Sequence, residues 1–150
     1  MEFTPSKLNT FVLFNLPSAY LSGVRVTQIS TDKCTVSVKH RWINQNPFNS
    51  MYFAVQAMAA ELSTGALVMY HIKNSNKKIS MLVANNKGNF TKKARGRITF
   101  TCHDGHLIAD AIAKTVATGE GQTFWMKSIG VDESGDQVSE MDFEWSVRAK

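Results

Sequence analysis

The chain has 150 residues, 43% hydrophobic and 19% charged, with a formal net charge of +5; this composition excludes a disordered chain and fits one folded domain, residues 1–150. The charge excess, concentrated between Lys87 and Arg97, suits a phosphorylated small molecule as well as nucleic acid and does not choose between them. Cys34 and Cys102 are the two cysteines. Each alternates in phase with apolar neighbours and reads as a core residue, and with no leader-like start the expected setting is reducing and cytoplasmic.

Thr4-Pro5-Ser6 opens an apolar pattern at Leu8, Phe11, Val12, Phe14 and Leu16, a helix of about three turns stopped by Pro17. Val24, Val26 and Gln28 begin a strand. After the turn Thr31-Asp32-Lys33 a second strand alternates, with Cys34, Val36 and Val38 on one face and Thr35, Ser37 and Lys39 on the other, completing a hairpin. An Asn-rich loop (Asn44, Asn46, Pro47, Asn49) leads into the apolar run Met51 to Tyr70. That run has the length of a membrane span, about 30 Å at helical rise. Gln56, Glu61, Ser63 and Thr64 within it predict a buried helix and no membrane partner.

Ile79 to Ala84 is continuously apolar and reads as a sheet interior; Ile98 to Cys102 alternates again. Asp104 is placed to cap a short helix carrying Leu107, Ile108, Ala111 and Ile112. Asp132-Glu133-Ser134-Gly135-Asp136 joins the last two strands. In the final strand Met141, Phe143, Trp145 and Val147 face one way, and Glu140, Asp142 and Glu144 face the other. A helix apolar on most faces must be surrounded, so the expected architecture is α+β, an antiparallel sheet wrapped around a long central helix with an extra N-terminal helix.

Glu61 stands out. At 100° per residue its stripe holds Ser50, Ala54, Ala57, Met58, Thr64, Gly65, Val68 and Ile72, and none of these is charged. An unpaired buried carboxylate costs several kcal/mol unless neutralised or hydrogen-bonded, and such groups mark functional sites. The bland alternative is a carboxylate paired with a cation from another strand.

The stretch Trp42 to Gly65 (WINQNPFNSMYFAVQAMAAELSTG) resembles the hotdog-fold thioesterases, in particular the phenylacetyl-CoA-thioesterase-like group and its uncharacterised relatives. Asn46 takes that group's Asn position, Tyr52-Phe53-Ala54 stands where it carries His-Gly-Gly, and Glu61 takes its acid position, with Thr64 one turn beyond. Phe90 to Arg97 and Val131 to Gly135 are similar to later parts of the pattern, and the helical segment after Asp104 looks like an addition to it.

The resemblance implies hydrolysis of an acyl-CoA. Glu61 would be base or nucleophile, Asn46 near the carbonyl or water, and Thr64 supporting. N–H groups around Asn49, Ser50 and Met51 would form the oxyanion site, with Tyr52 also against the substrate. Lys92, Lys93 and Arg95, with Lys87 and Arg97 nearby, would grip coenzyme A phosphates. Coenzyme A belongs to the substrate, and no cofactor is implied. The family assembles as a homodimer or a dimer of dimers with the site between subunits. The alternative, drawn from the missing His-Gly-Gly, is a non-hydrolytic hotdog domain that binds an acyl-CoA or acyl-carrier ligand. Cys102-His103-Asp104-Gly105-His106 is an incomplete ligand set, so no metal is expected. Phe90 alone among the basic residues is thin for nucleic acid.

Overall fold

Helix α3, Phe53–Ser75, has 23 residues, about 35 Å at helical rise, and turns almost every residue from Val55 to Val68 inward. Only a sheet curled around it covers such a surface. In the computed structural model, which describes residues 3–150, six strands do so in the order β1-β2-β4-β5-β6-β3. They are β1 (Arg25–Ile29), β2 (Cys34–Lys39), β3 (Ile79–Phe90), β4 (Arg97–Cys102), β5 (Gln122–Val131) and β6 (Gln137–Ala149). Every pairing is antiparallel. This is the hotdog arrangement. Val36, Val38, Ile98, Phe100, Met126, Phe143 and Val147 supply the inner face of the sheet, against which α3 packs.

The N-terminal pattern folds as two helices, α1 (Pro5–Asn15) and α2 (Pro17–Leu21). Thr4 caps α1 by accepting from the Lys7 N–H at 3.2 Å, as its hydroxyl and extended backbone favour. Pro17 ends α1 but also opens α2, since its fixed φ suits a first helical position; the sequence reading had it only as a stop. Asn9 in α1 pairs with the backbone of Val26, its Nδ2 donating to the carbonyl at 2.9 Å and its Oδ1 accepting from the N–H at 2.8 Å. That closes the β1 edge of the sheet.

Three expectations are corrected. The central helix starts at Phe53 rather than Met51, because the N–H groups of Met51 and Tyr52 already donate to Ala94 and Asn44 carbonyls. Ile79 to Ala84 lies in β3, the opposite edge strand, with Leu82 67% exposed. Asp104 does not cap α4 (His106–Thr118) with its side chain: its Oδ2 accepts from the Lys127 N–H at 2.8 Å, and Gly105 occupies the cap. Cys34 and Cys102 face each other across β2 and β4, buried.

Candidate active site

Glu61 sits at the middle of α3, mostly buried, with its pKa pushed up from an ordinary 4.5 to about 7 by desolvation. No charged neighbour contributes to that rise. The ion pairs among the described residues all involve Lys92 or Lys127, so the structural pairing that competes with a functional reading is absent there. Gly65, one turn on, leaves space for the carboxylate: a Cβ at Gly65 would lie 3.3 Å from Oε1 of Glu61. The acid opens on a cleft of about 300 Å³ walled by Met58 and by Asn15, Leu16, Pro17, Ser18 and Ala19. That second wall is the elbow between α1 and α2. The Pro17 break in the apolar pattern was the only sequence signal for it.

Thr64 does not serve the carboxylate. Its hydroxyl donates to the backbone carbonyl of Glu61 at 2.8 Å and accepts from the indole N–H of Trp145 at 2.9 Å, fully buried. The side chain therefore bolts α3 to β6, with no hydrogen bond to the carboxylate.

The remaining sequence candidates gather elsewhere. Asn46, Ser50, Met51, Tyr52, Lys92 and Lys93 line one cleft of about 470 Å³ at the start of α3. Asn46 spends its amide inside its own loop. It accepts from the N–H groups of Phe48 and Ser50 at 2.9 and 3.2 Å and donates to the Met51 carbonyl at 3.3 Å, an Asx-type turn. Asn49, at φ 55°, is the corner of that loop, and its carbonyl accepts from Nε of Arg95 at 3.0 Å. With the N–H groups of Ser50, Met51 and Tyr52 engaged, the open donors of the first helical turn are Phe53 and Ala54. They lie C-terminal to the expected set. Tyr52 packs edge-on against Phe53, and Phe53 against Phe90, with ring centroids 5.2 and 6.1 Å apart.

Two features of this end of α3 were not anticipated. Gln56 reaches the same cleft while its buried Oε1 lacks a hydrogen-bond partner. Lys92 is neutralised, its Nζ 2.6 Å from Asp132 and 2.7 Å from Asp136. A lysine held between two carboxylates has little charge left for a phosphate. Eight residues of helix separate Phe53 from Glu61, about 12 Å along the axis. One chain alone does not bring Asn46 or the free N–H groups to the acid.

Compared with known proteins, residues 7–147 match the model of a family described as a domain of unknown function (DUF4442). No curated protein matches. Among solved structures, the chain is similar to protein OLEI01261 of unknown function from Chlorobaculum tepidum (TM-score 0.84, 14% identity, 97% of this chain and 94% of that one). It is also similar to PA5026 from Pseudomonas aeruginosa, a protein of unknown function described as a probable thioesterase (TM-score 0.81, 20% identity, 98% and 97% covered). Thioesterase HI1161 from Haemophilus influenzae gives a TM-score of 0.74 at 13% identity over 99% and 93% of the two chains. At identities this low the likeness shows a common fold alone.

Proposed function

The chain belongs to the family described as a domain of unknown function (DUF4442), and we propose that it is a thioester hydrolase of the hotdog fold, acting on an acyl-CoA with Glu61 as general base or nucleophile. The observation that carries this reading is Glu61 itself: a desolvated carboxylate with no ion-pair partner among the described residues, opening on a cleft, its pKa pushed up to about 7. A base poised near neutrality is matched to taking a proton from water. As base, Glu61 accepts a proton from water while the water oxygen bonds to the thioester carbonyl carbon. The carbonyl oxygen takes the negative charge, and collapse breaks the C–S bond. The proton on Glu61 then returns to the departing thiolate. The names of structural neighbours include thioesterases, which supports the reaction class.

The oxyanion needs donors that Glu61 does not find in its own chain. The reading therefore includes a homodimer, or a dimer of dimers, in which the first turn of one α3 (Phe53 and Ala54) serves the Glu61 of a second copy. The open β3 edge supports this, because an exposed twelve-residue strand carrying Leu82 invites pairing with another strand. Asn46, Tyr52 and Lys93 would then line the substrate from the partner side. Water and protein groups suffice for the reaction as written.

The non-hydrolytic reading, a domain that only binds acyl-CoA or an acyl-carrier ligand, draws on the internal engagement of Asn46 and Thr64. Turnover of an acyl-CoA panel by wild type and Glu61→Gln separates the two. Hydrolysis that falls about 10²–10⁴-fold in the variant supports the proposal; binding without turnover, or equal turnover, rejects it.

A further inference from the structure

Alternation along the strands sends Val26, Val36, Val38 and Ile98 into the core and their neighbours to the outer face of the sheet. There Arg25 stands opposite Ser37, and Lys39 stands directly opposite Arg97. Nη1 of Arg97 donates to Oγ of Ser37 at 3.3 Å. Arg41, just beyond β2, folds back over Gly23, its Nη2 2.7 Å from where a Cβ would lie; Gly23 holds φ +95°. Arg25 is fixed by donation to the carbonyls of Tyr20 and Val24 at 2.8 and 2.9 Å, and its guanidinium carbon lies 3.5 Å from the Tyr20 ring centroid. With Gly23, these four cations line a cleft of about 250 Å³.

Like charges facing each other across a sheet are destabilising, and among the described residues no ion pair offsets this group. The carboxylate that reaches Arg97, Glu133, accepts from its backbone N–H at 2.6 Å rather than from its guanidinium. The acids on the outer face of β6 have partners of their own: Lys127 lies 2.6 Å from Glu140 and 3.7 Å from Asp142, and Asn85 donates to Glu144 at 2.8 Å. A preformed cleft holding three guanidinium groups and an ammonium, with no ion-pair partner among the described residues, calls for a multivalent anion. Guanidinium forks match phosphate oxygens in geometry as well as charge.

We propose that Gly23, Arg25, Lys39, Arg41 and Arg97 form a phosphate-ester site. It takes the phosphates of the coenzyme A moiety in place of the Lys92 region. The assignment to coenzyme A rests on the thioesterase reading above. The two clefts are neighbours along the chain, since Pro17, Ser18 and Ala19 of α2 border the Glu61 cleft and Gly23, two residues past the end of α2, lines the cationic one. Coenzyme A carries its phosphates at the far end of an extended arm from its thioester, as a ligand bridging both clefts must.

Titration calorimetry with coenzyme A, dephospho-coenzyme A and inorganic pyrophosphate tests the site in wild type and in Lys39→Gln/Arg41→Gln, whose side chains are exposed. Lys39→Glu serves as a second, charge-inverting variant. Wild type is expected to bind coenzyme A more tightly than the dephospho form. Both variants are expected to lose about tenfold or more in affinity, with KM for an acyl-CoA rising and kcat unchanged. Pyrophosphate that binds as tightly as coenzyme A, in a variant-sensitive way, supports the site and identifies a free phosphate compound as its ligand. Equal affinity of variants and wild type for all three ligands overturns the site. Hydrolysis with KM unmoved also overturns it and leaves the thioesterase reading standing. Variant-sensitive coenzyme A binding without any hydrolysis does the reverse.

Discussion

Replacing Glu61 by Gln keeps the shape of the side chain and removes its titration, so it separates stability from catalysis. In the folded protein the Glu61 pKa is raised from 4.5 to about 7 by burial alone. The folded state therefore holds the carboxyl proton more tightly than the unfolded chain does, and stability falls as pH rises across that window. At about 1.4 kcal/mol per pH unit, the wild type carries a penalty of roughly 1 kcal/mol at pH 5, growing to about 3 kcal/mol at pH 8 by the same linkage. Gln carries none at either pH. Urea unfolding of both proteins at pH 5 and pH 8 should show the variant pulling ahead at the higher pH, while its acyl-CoA hydrolysis collapses. Because no charge partner contributes, added salt should leave the gap in place. A stability difference that is the same at both pH values refutes the buried, unpartnered carboxylate. In the wild type, kcat should rise with pH through about 7, as the base loses its proton.

Thr64→Val leaves the indole N–H of Trp145 buried without its acceptor; urea unfolding should show a loss of about 1–3 kcal/mol, with kcat of the folded variant far less affected than by Glu61→Gln. Gly105→Ala should lower the melting temperature sharply, since its Cβ would collide with the backbone of the β1–β2 turn at Thr31 and, 2.8 Å away, at Asp32; overpacking of this kind costs about 1–3 kcal/mol. Lys92→Gln should leave KM for an acyl-CoA unchanged, and loss of its bridges to Asp132 and Asp136 should shift the urea midpoint little, because Lys92 stands largely in solvent. Cys34 and Cys102, both pushed up to about 12 by burial, should resist thiol-directed reagents in the native protein and react only on unfolding.

What the sequence made legible was whatever depends on local pattern. The period-2 alternation of β2, β4 and β6, the turn at Asp132 to Asp136 and the apolar length of α3 all fold as read. What escaped was decided by long-range pairing. A run such as Ile79 to Ala84 looks alike in the middle of a sheet or at its edge, and only the pairing with β6 alone puts β3 outermost. The start of α3 moved because backbone carbonyls from Asn44 and Ala94 claimed the N–H groups that precede it. Asp104 has a capping side chain by type, yet an acceptor spent on β5 cannot also cap a helix.

The candidate site divides along the same line. Glu61 was legible because its oddity is local, a carboxylate on a stripe of small and apolar residues. The partner of Thr64, Trp145, was not legible, since it lies 81 residues away and no spacing rule reaches that far. The phosphate residues show the contrast most sharply. Lys87 to Arg97 forms the visible basic run, but folding places Lys92 between two acids. Arg25, Lys39, Arg41 and Arg97, dispersed in sequence, converge because three adjacent strands share one outer face. A run of like charge along a chain thus says less about anion binding than a set of cations that the sheet gathers and leaves without counter-ions. By that criterion the cleft at Gly23, rather than Lys92, is the part of this surface built to hold a phosphate.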